Sequence, residues 1–121
     1  MDIYQIHIMD HYRNPRNKGV CSNATFTSDV VNPSCGDAVT ISGIIDNGII
    51  TRLCFEGHGC VISQAAASML TEKVHGKLVQ EALALQSSDM LQLVGIMLGP
   101  TRARCALLAL EALHKGIVHN A

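Results

Sequence analysis

The sequence of 121 residues has no dense stripe of basic side chains, and its 9 Lys plus Arg and 10 Asp plus Glu give a formal net charge of -1. Proteins that bind nucleic acid normally concentrate positive charge on one face. No apolar run approaches the roughly 20 residues that a helix needs to cross a bilayer. The sequence therefore predicts neither a nucleic-acid partner nor a membrane protein.

Two further absences concern targeting and cysteine pairing. Residues 1–5 lack the basic and apolar regions of a secretory signal, which predicts a cytoplasmic location. The five cysteines form an odd set that cannot all pair internally, and no C-x-x-C pair occurs. Because 48% of the residues are hydrophobic, the chain can build a core without disulfides. We therefore expect thiols that serve chemistry or metal binding.

The first half of the chain carries one helical pattern followed by three β-type patterns. Residues 3–13 place Ile3, Ile6, His7 and Asp10 on helical spacing, and an Asn-Pro-Arg-Asn segment then ends the helix. Residues 25–31, 38–45 and 49–56 are rich in β-branched side chains, and an Asp-Asn-Gly turn joins the last two. These patterns predict a three-stranded antiparallel meander.

The second half of the chain has a helical composition. A helix is predicted over residues 61–75, ended by Gly76, and two more within residues 77–98, with residues 87–89 as a cap between them. A last helix is predicted from a Thr101 cap to about residue 115, ended by Gly116. Residues 1–121 therefore form one predicted α+β domain, with the sheet packed against several helices.

Three cysteines lie at predicted element junctions, where side chains can face an open site. Cys35 lies in a Pro-Ser-Cys-Gly-Asp turn, Cys60 follows Gly-His-Gly, and Cys105 lies near the start of the last helix. A helix N-terminus or an adjacent arginine favours the thiolate form, which binds metal. With Asp37 as the nearest carboxylate, three cysteinates would suit zinc or a 2Fe–2S cluster. The residues alone leave a second interpretation open, since cysteines are also common as small buried hydrophobic residues.

The remaining candidates have no single assignment from the sequence. Cys21 and Cys54 are interpreted as structural. His58 could reach a metal or move protons, or could be a solvated loop residue. Arg102 and Arg104 could attract an anionic persulfide or a partner carboxylate, or could simply begin a solvated helix. His7 and His11, one helical turn apart, are expected to cover the sheet.

Four blocks of the sequence, in this order, resemble the IscU/SufU/NifU N-terminal family. They are MDHYRNPRN at residues 9–17, NPSCGD at 32–37, FEGHGC at 55–60 and RARCAL at 102–107. The resemblance covers essentially the whole chain. It implies an IscU-like α+β fold in which Cys35, Asp37, Cys60 and Cys105 gather at one end and hold zinc, iron or a nascent cluster. The implied partners are a cysteine desulfurase and iron–sulfur acceptor or carrier proteins.

The motifs divide between two branches of that family. Arg104 stands where IscU-type members have a histidine that can bind metal, whereas Arg102 and the Asp-His-Tyr-x-Asn-Pro-Arg-Asn opening are similar to SufU-type members. The spacing between Cys60 and Cys105 resembles that of IscU, without the SufU insertion. The Leu-Pro-Pro-Val-Lys peptide by which IscU engages its Hsp70 is missing, so the resemblance does not extend to an Hsp70-type chaperone.

Three functions follow as alternatives. The first is a scaffold that accepts persulfide sulfur from the desulfurase, binds iron and builds a transient 2Fe–2S cluster, with Asp37 as the labile ligand. The second is a zinc-dependent sulfur acceptor of SufU type, a sulfurtransferase in which Cys105 takes the persulfide. The third is a zinc-stabilised interaction domain. The scaffold is favoured, and whether the protein is an enzyme depends on which of the first two holds.

Overall fold

The computed structural model describes residues 2–34 and 36–119. The described part of the chain contains three strands and five helices, which confirms the predicted α+β class. In chain order they are α1 (Ile3–Arg13), β1 (Phe26–Asn32), β2 (Asp37–Asp46), β3 (Ile49–His58), α2 (Val61–Val74), α3 (Val79–Ala84), α4 (Ser87–Val94) and α5 (Pro100–His119).

The three strands form an antiparallel sheet in the order β1-β2-β3, as predicted. Asn47 and Gly48 connect β2 to β3, and both have positive φ angles, of 53° and 76°. A two-residue hairpin loop of the favoured type requires positive φ at both positions, which Asn and Gly tolerate best. The local turn signal therefore determined how β2 pairs with β3.

One face of the sheet carries the core. Alternate residues of a strand point to the same face, and Phe26 of β1, Ile41 of β2 and Phe55 of β3 are buried. Helices α2 and α5 pack on the strands and on each other. The small side chains of α2 at residues 65–67 and of α5 at Ala109 and Ala112 are fully buried, which lets the two helices approach closely.

Helix α5 differs from its prediction at both ends. It begins at Pro100 instead of after a Thr101 cap, and the Ala103 amide donates to the Gly99 carbonyl at 2.9 Å. It continues through Gly116, which was predicted to end it. A Cβ on Gly116 would lie 2.6 Å from the Phe26 ring. This glycine therefore allows close packing of α5 on β1, and its role as a helix terminator was wrong.

The cap predicted within residues 87–89 is only partly right. Helix α4 begins at Ser87, but the N-cap residue is Gln86. The Gln86 amide donates to the Asp89 carboxylate at 2.8 Å. Of the three predicted cap residues, the carboxylate at the third helical position is therefore the one that satisfies a backbone donor at this helix start.

Helix α1 has its predicted bounds but buries a different face. Ile3 and Ile6 remain 75% and 54% exposed, whereas Ile8 and His11 are buried. The Nδ1 atom of His11 lies 2.7 Å from the Ser68 hydroxyl of α2. The helix therefore packs on α2, and the expectation that its histidines cover the sheet was wrong.

The residues that follow α1, 14–22, pass from α2 along the edge of β3 to the outer face of the sheet and are called the edge segment here. The Gly19 amide donates to the Phe55 carbonyl at 2.7 Å, and the Phe55 amide donates to the Asn17 carbonyl at 3.0 Å. These bonds pair the segment with the edge of β3. The Cys21 amide then donates to the Ser42 hydroxyl of β2 at 3.0 Å. The edge segment therefore covers an otherwise unpaired strand edge.

Buried His11 makes the stability of this packing depend on pH. Burial lowers the pKa of His11 below its usual value near 6.5, and repulsion from Arg16 and His7 acts in the same direction. Attraction from Glu72, whose carboxylate lies 3.7 Å from Nε2, and from Asp10 opposes these effects without cancelling them. The unfolded chain therefore binds a proton at this histidine at a higher pH than the folded chain.

We expect the folded state to lose stability as the pH falls below about 6.5, towards the depressed pKa of folded His11. This histidine contributes at most about 1.4 kcal/mol per pH unit to the free energy of unfolding. Urea denaturation at pH 7.5, 6.5 and 5.5 measures the loss. His11→Gln should flatten the pH dependence, and His75→Gln, at an exposed position, should not. An equally steep loss in His11→Gln would contradict the assignment.

Candidate metal centre

Three elements bring potential metal ligands to one place. Asp37 is the first residue of β2, Cys60 is the N-cap residue of α2, and Cys105 lies in the second turn of α5. The two sulfur atoms and a carboxylate oxygen lie within 4.8 Å of one another. Across residues 2–34 and 36–119, no other group of three or more such side chains is placed to hold a metal ion.

Asp37 is positioned by Cys60. One carboxylate oxygen accepts a hydrogen bond from the Cys60 amide at 2.9 Å, and the other accepts from the Cys60 thiol at 3.2 Å. Gly59 makes this approach possible. Its φ angle is +135°, and a Cβ at that position would overlap the Asp37 carboxyl group. A residue with a side chain would therefore be strained and would push Asp37 away.

Cys60 caps the N-terminus of α2, as the prediction of a strand-to-helix junction implied. Its sulfur accepts from the Ser63 amide at 3.4 Å, while the Ser63 hydroxyl donates to the Cys60 carbonyl at 3.1 Å. The unpaired amides at a helix start favour negative charge. The Cys60 sulfur therefore lies at the start of α2, next to a backbone amide.

The three ligands lie along a groove of about 580 Å³ with a mainly apolar lining. Cys60 is exposed, whereas Asp37 and Cys105 are buried. Helix α1 forms one side of the groove, a contribution that the sequence analysis missed. The helical spacing of Gln5, Ile8 and Met9, three and four residues apart, is the signal that could have found it.

The other predicted site residues have different placements. Cys35 lies outside the described residues. Arg102 lines the groove, and Arg104 is exposed and does not. His58 is exposed at the end of β3 and is not part of the ligand group. Cys21 is remote from this group and lies instead against Cys54, with the two sulfur atoms 3.0 Å apart.

The donor set fits a metal ion that accepts sulfur and oxygen ligands. Zinc binds thiolate at about 2.3 Å and carboxylate at about 2.0–2.2 Å, so tetrahedral ligands lie roughly 3.3–3.8 Å apart. Ligand atoms within 4.8 Å of one another therefore need only small side-chain shifts. Iron in cluster form also accepts mainly thiolate ligands. The donor set does not by itself choose between these two metals.

This arrangement defines a small α+β protein in which two cysteines and a carboxylate form a candidate metal centre. Residues 3–120 match the NifU-like N terminal domain, and the chain belongs to that family. It is 40% identical to the zinc-dependent sulfurtransferase SufU of Bacillus subtilis, covering 95% of this chain and 89% of that protein. It is also 40% identical to the iron–sulfur cluster assembly scaffold protein IscU of Aquifex aeolicus, covering 94% and 73% respectively.

Solved structures agree with this assignment. One similar structure is described as a candidate iron–sulfur cluster assembly scaffold protein for the SUF system of Fervidobacterium islandicum. It matches with a TM-score of 0.81 and 28% identity, over 96% of this chain and 99% of that one. The family resemblance carried by the four sequence blocks is thus confirmed. No helix in the described part of the chain is long and apolar enough to cross a membrane.

We expect Gly59→Ala to weaken Zn²⁺ binding about 10–100-fold, because the new methyl group displaces the Asp37 carboxylate that Cys60 holds in place. Competition with a chromophoric zinc chelator measures the affinity. Gly76→Ala is the matched control, since Gly76 also has a positive φ, of +81°, but has no atom within 4 Å of the added Cβ. Equal affinities in the two variants would show that Gly59 does not shape the centre.

Proposed function

We propose that this protein is a scaffold in iron–sulfur cluster assembly, which accepts sulfur from a cysteine desulfurase and builds a transient 2Fe–2S cluster. The supporting observation is the convergence of Asp37, Cys60 and Cys105 at one groove. Cys35, two residues before Asp37 in the chain, is proposed as the fourth ligand. Scaffold function is also the printed description of the Aquifex relative.

Sulfur delivery requires a thiolate that can reach a persulfide. The thiolate attacks the outer sulfur of the desulfurase persulfide, a new S–S bond forms, and the desulfurase cysteine leaves as a thiolate. Cys60 is exposed at a helix start, and Cys105 faces the same groove although the residue is buried overall. The Cys60 sulfur is therefore accessible to a donor that docks over the groove, and Cys105 lines the same groove. Iron, as the second substrate, would bind beside the sulfur.

Release of the cluster requires one weak ligand. Asp37 supplies a hard oxygen donor among soft sulfur donors, and such a ligand binds iron less firmly than a thiolate does. Its two hydrogen bonds with Cys60 hold the carboxylate beside the centre. We infer that Asp37 keeps the cluster transferable to an acceptor or carrier protein.

The test is anaerobic reconstitution with a cysteine desulfurase, cysteine and Fe(II), followed by visible absorption and by analysis of iron and acid-labile sulfide. A charge-transfer spectrum with equal iron and sulfide is expected. Cys60→Ser should abolish it. Cys21→Ser, which removes a thiol outside the centre, should leave the yield unchanged. Because Asp37 is the weak ligand, Asp37→Ala should lengthen the cluster lifetime, and exposed Asp46→Ala should not.

Two results would overturn the scaffold proposal. One is a cluster yield that survives Cys60→Ser, since the cluster would then be held elsewhere. The other is zinc that stays bound through the whole reconstitution with no iron or sulfide incorporated. A cluster lifetime shortened by Asp37→Ala would contradict the labile role of the carboxylate but not the scaffold proposal itself.

A zinc-dependent sulfurtransferase is the second candidate, and the arginines near Cys105 favour it. Arg104 cannot bind metal, and Arg102 lines the groove as a fixed positive charge that attracts an anionic persulfide. The Bacillus relative carries this activity in its description. Its alignment extends over 132 positions, more than the 121 residues of this chain, so that relative has residues without a counterpart here. Zinc on these ligands would keep the thiols deprotonated.

In this second candidate Cys105 takes the sulfur. We expect Cys105→Ser to abolish the stimulation of desulfurase turnover, measured as alanine formed from cysteine, because no thiolate remains at that position to accept the sulfur. Cys54→Ser is the control at a cysteine outside the centre. Full stimulation by Cys105→Ser would exclude Cys105 as the acceptor. Stimulation by zinc-loaded wild type without cluster formation would favour the transferase over the scaffold.

A further inference from the structure

A second pair of thiols lies outside the metal centre. The sulfur atoms of Cys21 and Cys54 are 3.0 Å apart, and both residues are buried. Cys54 lies on β3 between Leu53 and Phe55, and its side chain points to the opposite, outer face of the sheet. Cys21 lies near the end of the edge segment that crosses this face. Neither cysteine lines the groove of the metal centre.

Ser42 holds Cys21 in this position. The Cys21 amide donates to the Ser42 hydroxyl at 3.0 Å, and the Cys21 sulfur lies 3.4 Å from the Ser42 carbonyl oxygen. The Cys21 thiol has one proton. When it donates that proton to the Ser42 carbonyl oxygen, the lone pairs of the Cys21 sulfur remain available on the side of Cys54. A disulfide bond is about 2.05 Å long. Closing the pair therefore needs a relative movement of about 1 Å.

Arg52 distinguishes the two thiols. It lies two residues before Cys54 on the same strand, so both side chains project from the outer face. Hydrogen bonding to the Cys54 sulfur, followed by attraction to both cysteines, raises the pKa of Arg52. Burial is the main cause that raises the pKa of Cys21. Of the two thiols, Cys54 is the one that bonds to Arg52, and we assign the first step to it.

The pair does not form part of a metal site in the described residues. The group of potential metal ligands found in residues 2–34 and 36–119 contains neither Cys21 nor Cys54. The two buried thiols are in contact, and Arg52 beside them is exposed. Two thiols this close can act as a pair in which one sulfur reacts and the other resolves.

We propose that Cys21 and Cys54 are a reversible dithiol–disulfide couple that hydroperoxides close, separate from the metal centre. The Cys54 thiolate attacks a peroxide oxygen, the O–O bond breaks, and the departing alkoxide or hydroxide takes a proton, leaving a sulfenic acid. Cys21 then attacks that sulfur, an S–S bond forms, the S–O bond breaks, and water leaves with the Cys21 proton. Two thiols are oxidised and one hydroperoxide is reduced. A dithiol reductant reverses the step.

The disulfide would fasten the edge segment to the sheet across 33 residues of sequence. A cross-link restricts the unfolded chain more strongly as the loop it closes grows longer. Oxidation should therefore raise the Tm by roughly 10 °C for a chain of this size. Helix α1, which directly precedes the edge segment, forms one side of the groove, so the cross-link would also restrain that side.

Peptide mapping of the full-length wild-type protein, loaded with zinc to protect the metal centre, tests the pairing. Hydrogen peroxide is added, remaining thiols are blocked, and the protein is cleaved after Lys18 and Arg52, before Asp29 and after Glu56. Cys21 and Cys54 then lie in residues 19–28 and 53–56, apart from every other cysteine. The expected product is these two peptides joined by a disulfide that dithiothreitol removes.

Variants test the order of the steps. Cys21→Ala should leave a sulfenic acid on Cys54 that dimedone traps, while Cys54→Ala should leave Cys21 reduced. Arg52→Gln should slow closure about tenfold, because it removes the guanidinium that bonds to the Cys54 sulfur. Arg13→Gln, at an exposed arginine of α1, is the matched control and should not slow closure.

Peptide mapping of the wild-type protein tests the proposal even if one of the variants does not fold. If Cys21 and Cys54 stay reduced while Cys60 or Cys105 is oxidised, the pair is not a redox couple and the proposal fails. If the peptides are joined but the Tm does not rise, the disulfide does not fasten the edge segment. These results are independent of cluster or sulfur-transfer assays, so the proposal can fail while the function proposed for the metal centre stands.

Discussion

The hydrogen bonds between the Asp37 carboxylate and Cys60 are the contacts on which the candidate metal centre depends. They join the first residue of β2 to the N-cap of α2, so that a strand start and a helix start meet at one point. The same contacts keep a buried carboxylate satisfied and leave its oxygens beside two sulfur atoms. Gly59 is required because any side chain there would occupy the space of the carboxylate.

Close packing of helices on the sheet positions Cys105, the third side chain of the candidate centre. Helix α5 lies against β1 and β2, with Gly116 next to the Phe26 ring. Near its other end the same helix carries Cys105 to the centre, together with Arg102 at the groove. A shift of α5 on the sheet would therefore move Cys105 as well as core side chains. Stability of the core and geometry of the site have the same structural basis in this protein.

The edge segment and α1 connect the two thiol sites of the molecule. Helix α1 is fixed to α2 through His11 and Ser68 and lines the groove through Ile8 and neighbouring residues. The edge segment that follows it pairs with β3 and ends at the Cys21–Cys54 contact on the outer face. Within its first 21 residues the chain thus runs from one side of the groove to the contact between Cys21 and Cys54.

The sequence by itself determined the features that depend on neighbouring residues. β-branched runs, the Asn47-Gly48 turn and the junction at Cys60 are local. With the four family blocks they were enough to predict the fold class and to select three side chains that lie together in the structure, those of Asp37, Cys60 and Cys105. Tertiary structure alone decided which face of α1 is buried. Ile3 and Ile8 lie on different faces of the helix, and the local pattern does not specify which of the two packs inward. Tertiary structure alone also gave Gly116 its packing role and brought Cys21 to Cys54, because contacts between distant residues depend on how whole elements pack, which a local pattern does not specify.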